Sequence, residues 1–105
     1  MDINSIKALC MQNAMHYTNH FMVRILWRKI DSIDVIAAIM NGKIIQEYPD
    51  DHPYPSCLIL GRDRRNRPIH AVCGASEEAL WLITAYRPDL SEWENDWATR
   101  RRDTQ

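Results

Sequence analysis

The spacing of apolar residues changes at Asn41 and Gly42, and this change constrains the fold more than any other feature of the chain. Before it, apolar residues recur at helical spacing; after it, they gather in short runs typical of strands. Asn41 and Gly42 supply the left-handed stop that ends many helices. The chain has 105 residues, the size of one domain. We predict a single α+β domain over 1–105, with helices in 3–42 and a sheet in 43–87.

Three segments in the first part have helical spacing, and each follows a residue that can cap a helix. The candidate caps are Asp2 or Asn4, Thr18 or Asn19, and Asp31 or Ser32. The predicted buried faces are Ile6, Leu9 and Cys10 in the first helix, Phe21, Met22, Ile25 and Leu26 in the second, and Ile33, Ile36, Ala37 and Met40 in the third.

The second part contains four runs that are typical of strands. They cover 43–48, 56–60, 68–74 and 80–86, and polar turns join the last three. Short connections favour antiparallel neighbours, so we predict a four-stranded, mainly antiparallel sheet. Pro88 ends the sheet. Trp93 and Trp97 are four residues apart, and the spacing predicts a C-terminal helix over 90–101 that packs on the core.

Symmetric turns would fix which residues face the helices. They place His70 opposite Thr84 and Ile59 opposite His70. The face packed on the helices is then wholly apolar and consists of Leu58, Leu60, Ile69, Ala71, Cys73, Trp81, Ile83 and Ala85. The opposite face carries Cys57, Ile59, His70, Val72, Leu82, Thr84 and Tyr86. Because the second set mixes polar and small apolar groups, we expect a functional site there.

Positive charge is local in this chain. The net charge of −1 and the pI of about 6.4 exclude a global field that attracts nucleic acid or membranes. His20, Arg24 and Arg28 are each four residues apart and share one face of the second helix. A second basic cluster lies in a predicted hairpin tip and consists of Arg62, Arg64, Arg65 and Arg67. Both groups can bind an anion, and both can equally be solvated surface.

The cysteines and histidines indicate no metal or cofactor. Cys10, Cys57 and Cys73 are odd in number and lack ligand spacing, so we predict free thiols in a reducing cytoplasm. His16 and His20 are four residues apart without a third ligand. The N-terminal segment has neither the basic start of a signal peptide nor a long apolar run. We therefore predict a cytoplasmic protein without a membrane span.

Short motifs follow one another in a fixed order from about His16 to Arg102. They are His20-x3-Arg24-x3-Arg28-x-Ile30, Asn41-Gly42, Glu47-Tyr48-Pro49, Ser56-Cys57-Leu58, Gly61, Arg67-Pro68-Ile69-His70, Ile83-Thr84-Ala85-Tyr86-x-Pro88 and Trp93-Glu94. In these motifs the chain resembles a small bacterial family known as domain of unknown function 4258, which looks related to RelE-like and barnase-like ribonuclease toxins. The resemblance implies a RelE/barnase-like fold, a zinc-ribbon antitoxin as partner, and metal-independent cleavage of RNA.

Metal-free RNA cleavage needs a base for the 2′-hydroxyl proton, cations for the phosphate and an acid for the leaving oxygen. His70 is the candidate base or acid because the ordinary pKa of histidine lies near neutrality. Arg24 and Arg28 are candidates to hold the phosphate.

Three further residues are assigned supporting roles on the same surface. Thr84 and Tyr86 are candidates to orient the phosphate, and Tyr86 can instead stack on a base. His20 or an arginine is left to supply the second proton transfer. The hairpin arginines 62, 64, 65 and 67 would steer RNA towards the site.

Each of these residues also has an ordinary structural explanation. His70 can be a half-buried strand histidine bonded to a neighbour, and Arg24 and Arg28 can be the wet face of a helix. In that case the protein is a non-catalytic module that binds a protein or a nucleic acid through the same face. The sequence leaves both alternatives open, together with the RNA target and the oligomeric state.

Overall fold

A computed structural model describes residues 2–102 of the chain. In order, its elements are α1 (Ile3–Met11), β1 (Met15–Tyr17), α2 (Asn19–Trp27), α3 (Ser32–Met40), β2 (Lys43–Tyr48), β3 (Ser56–Arg62), β4 (Pro68–Ala75) and β5 (Leu80–Tyr86). The strands form one mixed sheet in the order β1-β5-β4-β3-β2. The α+β class and the three helices are confirmed, and β2 to β5 pair in chain order as antiparallel neighbours. The left-handed stop predicted at Asn41 and Gly42 is wrong, because Asn41 has a φ of −104° and no described glycine has a positive φ. No helix within the described residues has the length and apolar character needed to cross a membrane.

Side-chain caps begin all three helices, as the sequence predicts. The Asp2 carboxylate accepts from the Asn4 N–H at 2.9 Å, the Thr18 hydroxyl from Phe21 at 3.1 Å, and the Asp31 carboxylate from Ile33 at 3.0 Å. Each bond satisfies a backbone donor that has no partner inside its own helix. The start points of the helices are therefore set by local chemistry. The buried face predicted for α3 is wrong, since Val35, Ala38 and Ile39 are buried there and Ile33 is exposed.

The prediction of a four-stranded sheet misses the short parallel strand β1. Its three residues pair with the outer edge of β5, from Met15 opposite Leu80 to Tyr17 opposite Leu82. The Thr18 hydroxyl then donates to the Leu82 carbonyl at 3.1 Å. Because three residues carry no measurable period, the sequence gives no sign of this strand.

The predicted facing of β3 is wrong because its pairing with β4 is shifted by one residue. Leu60, and not Ile59, lies opposite His70, and Arg62 lies opposite Pro68. Such a shift exchanges the two faces of a strand. Cys57 and Ile59 are therefore in the core, whereas Leu58 lies on the same face as His70.

One side chain, Asp63, explains the shorter hairpin loop. Its carboxylate is buried and accepts from the backbone N–H groups of Arg65 at 2.8 Å and Arg67 at 2.9 Å. The Asp63 N–H in turn donates to the Arg67 carbonyl at 2.9 Å. These bonds close a five-residue loop over 63–67 that a symmetric turn does not anticipate.

A register shift near Ile83 alters the facing of part of β5. His70 lies opposite Tyr86 and Val72 opposite Thr84, but beyond the shift Gly74 lies opposite Trp81. Leu82 is therefore in the core, whereas Trp81 and Ile83, which the sequence predicts on the core face, are not. The core residues that the helices contribute are Ile6, Leu9, Cys10, Phe21, Ile25, Val35, Ala38 and Ile39, and those of β3 to β5 are Cys57, Ile59, Ile69, Ala71, Cys73, Leu80, Leu82 and Ala85.

The predicted C-terminal helix over 90–101 is wrong. This segment consists of turns, closed by a bridge between Trp93 and Arg100. The Asp96 carboxylate accepts from the N–H groups of Ala98 and Thr99, both at 3.0 Å. An aspartate that bonds neighbouring N–H groups in this way competes with the helical ladder, so the chain turns instead. We call residues 89–102 the C-terminal strap, since it lies across the sheet face opposite the helices.

Candidate functional site

The centre of the candidate site is His70, on the sheet face that the helices leave open. His70 lies on β4, and the register places His70, Thr84 and Tyr86 on one face, as predicted. The ring of His70 is, however, completely buried. The C-terminal strap covers it, with the Trp93 ring edge-on at a centroid distance of 4.5 Å. In this conformation a substrate cannot touch His70 directly.

Both ring nitrogens of His70 have hydrogen-bond partners, and these assign its protonation. Nε2 lies 2.6 Å from the Trp97 carbonyl oxygen, which can only accept, so Nε2 carries the proton. In the neutral ring Nδ1 then accepts from the Tyr86 hydroxyl at 3.1 Å. Burial lowers the pKa of His70, and the bond to the Trp97 carbonyl opposes part of that shift. Burial also raises the pKa of Tyr86, which keeps its hydroxyl a donor.

The residue that bonds His70 from the strap has an unusual backbone conformation. Trp97 has a φ of 60°, in the left-handed region that bulky side chains rarely adopt. Such a conformation costs about 1–3 kcal/mol and persists only where surrounding contacts hold it. Here the Trp97 N–H donates to the Glu94 carbonyl at 2.9 Å, and its carbonyl accepts from His70. The contact between the strap and His70 is therefore held against local strain.

The free energy of unfolding is expected to fall as the pH drops below about 6.5, because the unfolded chain protonates His70 before the folded chain does. The lowered pKa of His70 in the fold sets the lower end of this window. Urea unfolding measured between pH 7 and pH 5 should show this loss of unfolding free energy. The His70→Gln variant should lose less unfolding free energy per pH unit than the wild type. Asp63 and Asp96 each have a pKa of about 2 in the fold, so the loss of stability from their protonation begins only in more acidic solution. Equal slopes in the two proteins would contradict the assignment.

Arg28 connects the second helix to this face. One of its guanidinium nitrogens, Nη1, donates to the Thr84 hydroxyl at 3.0 Å and to the Ala85 carbonyl at 2.8 Å. Its Cζ lies 5.9 Å from the centre of the Tyr86 ring. Arg28 is exposed, whereas Thr84 and Tyr86 are half-buried. Arg28, Thr84, Tyr86 and His70 thus form one continuous network, of which all but His70 reach the surface.

His20 and Arg24 complete the stripe on α2 that the sequence predicts. Both are exposed, and neither side chain has a hydrogen bond or an ion pair within residues 2–102. They follow the outer edge of β5, between the Thr18 contact with Leu82 and the Arg28 contact with Ala85. His20 and Arg24 are therefore open to an anion, whereas Arg28 is partly engaged with β5.

The hairpin arginines are less available than the sequence suggests. Arg64 pairs with Asp34 at 2.8 Å, and Arg67 pairs with Asp63 at 3.0 Å. Arg62 donates to the Asn66 carbonyl at 3.3 Å. Only the Arg65 side chain has no partner in the described part of the chain. The pairing of Arg64 with Asp34 leaves no local signal in the sequence, since the two residues are 30 positions apart.

The Asp63 carboxyl group in this hairpin is strongly stabilised in its ionised form. Burial raises the pKa of Asp63, but hydrogen bonds from Arg67, Arg65 and Arg87 outweigh it and lower the pKa to about 2. Arg87 lies 3.0 Å from the Asp63 carboxylate. Asp63 therefore neutralises much of the local positive charge and ties the hairpin to the end of β5.

Sequence reasoning missed two contributions to the site, and both come from the strap. One is the Trp97 carbonyl, which fixes the tautomer of His70. The other is Arg100, whose guanidinium lies 4.7 Å from the centre of the Trp93 ring. The spacing of Trp93 and Trp97 predicts a helix here, and the Asp96-x-x-Thr99 turn is the signal against it. Among residues 2–102, no group of three or more His, Cys, Asp or Glu side chains is arranged to hold a metal ion.

The model of a family described as a domain of unknown function, DUF4258, matches residues 17–87. This range contains α2, α3 and the strands β2 to β5, and it ends before the C-terminal strap. No curated protein and no solved structure matches the chain.

Proposed function

The chain belongs to the DUF4258 family of unknown function, and we propose that it is a metal-independent endoribonuclease, the toxin of a bacterial toxin-antitoxin pair. One observation carries the proposal: Arg28, Thr84, Tyr86 and His70 lie in a single hydrogen-bonded and cation–π network. A phosphate-binding cation, a surface hydroxyl and a buried imidazole are thereby brought together. These are the groups that metal-free transesterification of RNA requires.

The stripe on α2 would bind the RNA backbone. Arg28 uses Nη1 for Thr84 and Ala85, which leaves the N–H groups of Nε and Nη2 for a phosphate. Arg24 lies one helical turn away on the same face and would bind the next phosphate. The RNA strand would then run along the outer edge of β5, with the scissile phosphate beside Tyr86.

Proton transfer would pass through Tyr86, since His70 is buried. The RNA 2′-hydroxyl gives its proton to the Tyr86 oxygen while Tyr86 gives its own to Nδ1 of His70. The imidazolium that forms is stabilised by its Nε2 bond to the Trp97 carbonyl. The 2′-oxygen bonds to phosphorus, the bond to the 5′-oxygen breaks, and that oxygen takes a proton from solvent, because His20 lies about two helical turns from Arg28. Tyr86 is thus the catalytic residue, and His70 acts through it.

The remaining proposals concern fold relationship, location and partner. The order of the elements, in which α2 and α3 are followed by the antiparallel strands β2 to β5, supports a RelE/barnase-like architecture. The motif resemblance supports a zinc-ribbon antitoxin as the partner protein and a cytoplasmic site of action. Purification of the protein with a co-expressed zinc-binding neighbour, followed by loss of RNA cleavage in the complex, would test the pairing.

Cleavage chemistry gives the direct test. We expect purified protein to cut RNA in the presence of EDTA, to leave DNA of the same sequence intact, and to produce a 2′,3′-cyclic phosphate or its 3′-phosphate. Mass spectrometry of the fragment ends identifies the product. The substrates should include single-stranded RNA and ribosome-bound messages. If folded protein free of partner leaves all of them intact, the ribonuclease proposal fails.

A second candidate function is a non-catalytic nucleic-acid-binding module, and the complete burial of His70 favours it. It predicts RNA binding by the same stripe without any product. Replacing Arg24 or Arg28 by alanine should lower the slope of log affinity against log salt by about 0.7 on single strands. Lys7→Ala on α1 is the matched control and should leave the slope unchanged. Cleavage under EDTA with a cyclic product would exclude this candidate.

A further inference from the structure

The second helix is apolar on more of its surface than the core covers. Phe21 and Ile25 are buried, but Met22 and Leu26, which the sequence predicts to share that buried face, are exposed. Ile33 at the start of α3 is exposed as well. The large apolar side chains exposed here are Met22, Val23, Leu26, Trp27 and Ile33, five of the nine within residues 2–102. We call these five residues the apolar patch.

The apolar patch has the shape of a groove. A cavity of about 340 Å³ lies between α2 and the start of α3 and is lined by Met22, Val23, Ile25, Leu26, Ile30 and Ser32. Leu26, which lines the cavity, and Trp27, the next residue in the chain, have 75% and 82% of their surface exposed. Apolar side chains that cluster to this extent on one surface mark an interaction site more often than ordinary solvent-exposed surface.

Most of the charged side chains beside the groove are positive. Residues 3–30 contain Lys7, Arg24, Arg28 and Lys29 and not one acidic residue. The nearest acid, Asp31, caps α3 and pairs with Arg64 at 3.4 Å. Arg24 and Lys29 are exposed next to the patch, so its border is positively charged.

We propose that the apolar patch binds an amphipathic segment of a partner protein whose apolar side chains are flanked by carboxylates. The apolar side chains would fill the groove, and the carboxylates would face Arg24 and Lys29. RNA suits this surface less well, because the patch is mostly aliphatic and a phosphate backbone cannot cover aliphatic groups. A second copy of the chain would place two cationic borders against each other. The inference is independent of RNA cleavage.

The test uses two labelled peptides of about 15 residues with the same leucines at positions i, i+3, i+4 and i+7. One peptide has glutamates at the flanking positions and the other has lysines. By fluorescence anisotropy, the glutamate peptide should bind at least about tenfold tighter. Replacing Leu26 and Trp27 together by serine should weaken its binding at least about tenfold. Arg24→Glu should remove most of the preference for the glutamate peptide, because Lys29 then faces an opposite charge on the border.

Met11→Ser is the matched control, because Met11 is 77% exposed but lies on α1 outside the patch. Its peptide affinity should stay within about twofold of the wild type. Circular dichroism confirms that the surface variants fold. Equal affinity for the two peptides overturns the proposal, since it would show only general hydrophobic binding. A dimer observed by sedimentation and dissociated by Leu26→Ser would also overturn it, because the occupant would be a second copy of the chain. Weaker RNA binding after the two serine replacements would overturn it as well, because the occupant would be RNA.

Discussion

Replacing Gly61 by alanine is expected to lower the free energy of unfolding by at least about 3 kcal/mol. A Cβ at this position would lie 1.8 Å from the carbonyl oxygen of Ala38 and 2.4 Å from its carbonyl carbon. Both atoms belong to the backbone of α3, so no side-chain rotation relieves the clash. The helix must move away from β3 and open the core between them. Since small domains have only about 5–15 kcal/mol of stability, a large part of it is lost.

Gly74→Ala is the matched control for this prediction. Its Cβ would meet nothing nearer than the Ile83 side chain at 3.6 Å, an ordinary contact distance. Alanine there should leave stability unchanged or raise it by about 0.4–1 kcal/mol, because it restricts the unfolded chain. Urea unfolding followed by circular dichroism measures both variants. Similar losses in the two would show that α3 does not approach β3 as closely as the structure places it.

The positions of the helices follow from the sequence because their causes are local. A cap bond joins residues two or three apart, as between Asp31 and Ile33, and the chain carries that information within one turn. The sequence does not, however, indicate which apolar residues of a helix the core covers. The apolar spacing of α2 does not distinguish Phe21, which is buried, from Leu26, which is exposed. That distinction depends on elements far along the chain.

The pairing of the strands shows how one side chain can change a whole face. The loop over 63–67 is one residue shorter than a symmetric turn predicts, since the Asp63 carboxylate organises it. This difference of one residue in the loop places Ile59 in the core and Leu60 opposite His70. On β5 the predicted partner of His70 is Thr84 and the observed partner is Tyr86, two residues further along the strand. A shift of two residues leaves each side chain on the same face of the sheet. The shared face of His70, Thr84 and Tyr86 was therefore predictable even though their pairing was not.

The burial of His70 was not predictable from its strand. It depends on the strap, where Asp96 bonds Ala98 and Thr99 and Trp97 adopts a positive φ. The local spacing of Trp93 and Trp97 favours a helix, but the hydrogen bonds from Ala98 and Thr99 to the Asp96 carboxylate stabilise a turn instead. The network of Arg28 with Thr84 likewise joins residues 56 apart in the chain. Tertiary contacts of this kind leave no periodic trace in a sequence.

Tyr86→Phe is expected to reduce RNA cleavage by at least about 100-fold while RNA binding stays near the wild-type value. The replacement removes only the hydroxyl that bonds Nδ1 of His70, at 3.1 Å, and so breaks the route of the proton to the buried ring. Arg28 keeps its bonds to Thr84 and Ala85 and still holds the phosphate. Single-turnover cleavage and filter binding, measured on the same preparations, separate the two effects.

The loss must be distinguished from simple destabilisation of the fold. Without the Tyr86 hydroxyl, Nδ1 of His70 is a buried acceptor without a partner, which costs about 1–3 kcal/mol. Cleavage is therefore compared at a temperature where circular dichroism shows both proteins folded. Tyr17→Phe is the matched control, because the Tyr17 hydroxyl is exposed and has no partner within the described residues; it should cleave at the wild-type rate. A folded Tyr86→Phe protein that binds and cleaves RNA normally would remove Tyr86 and His70 from the mechanism.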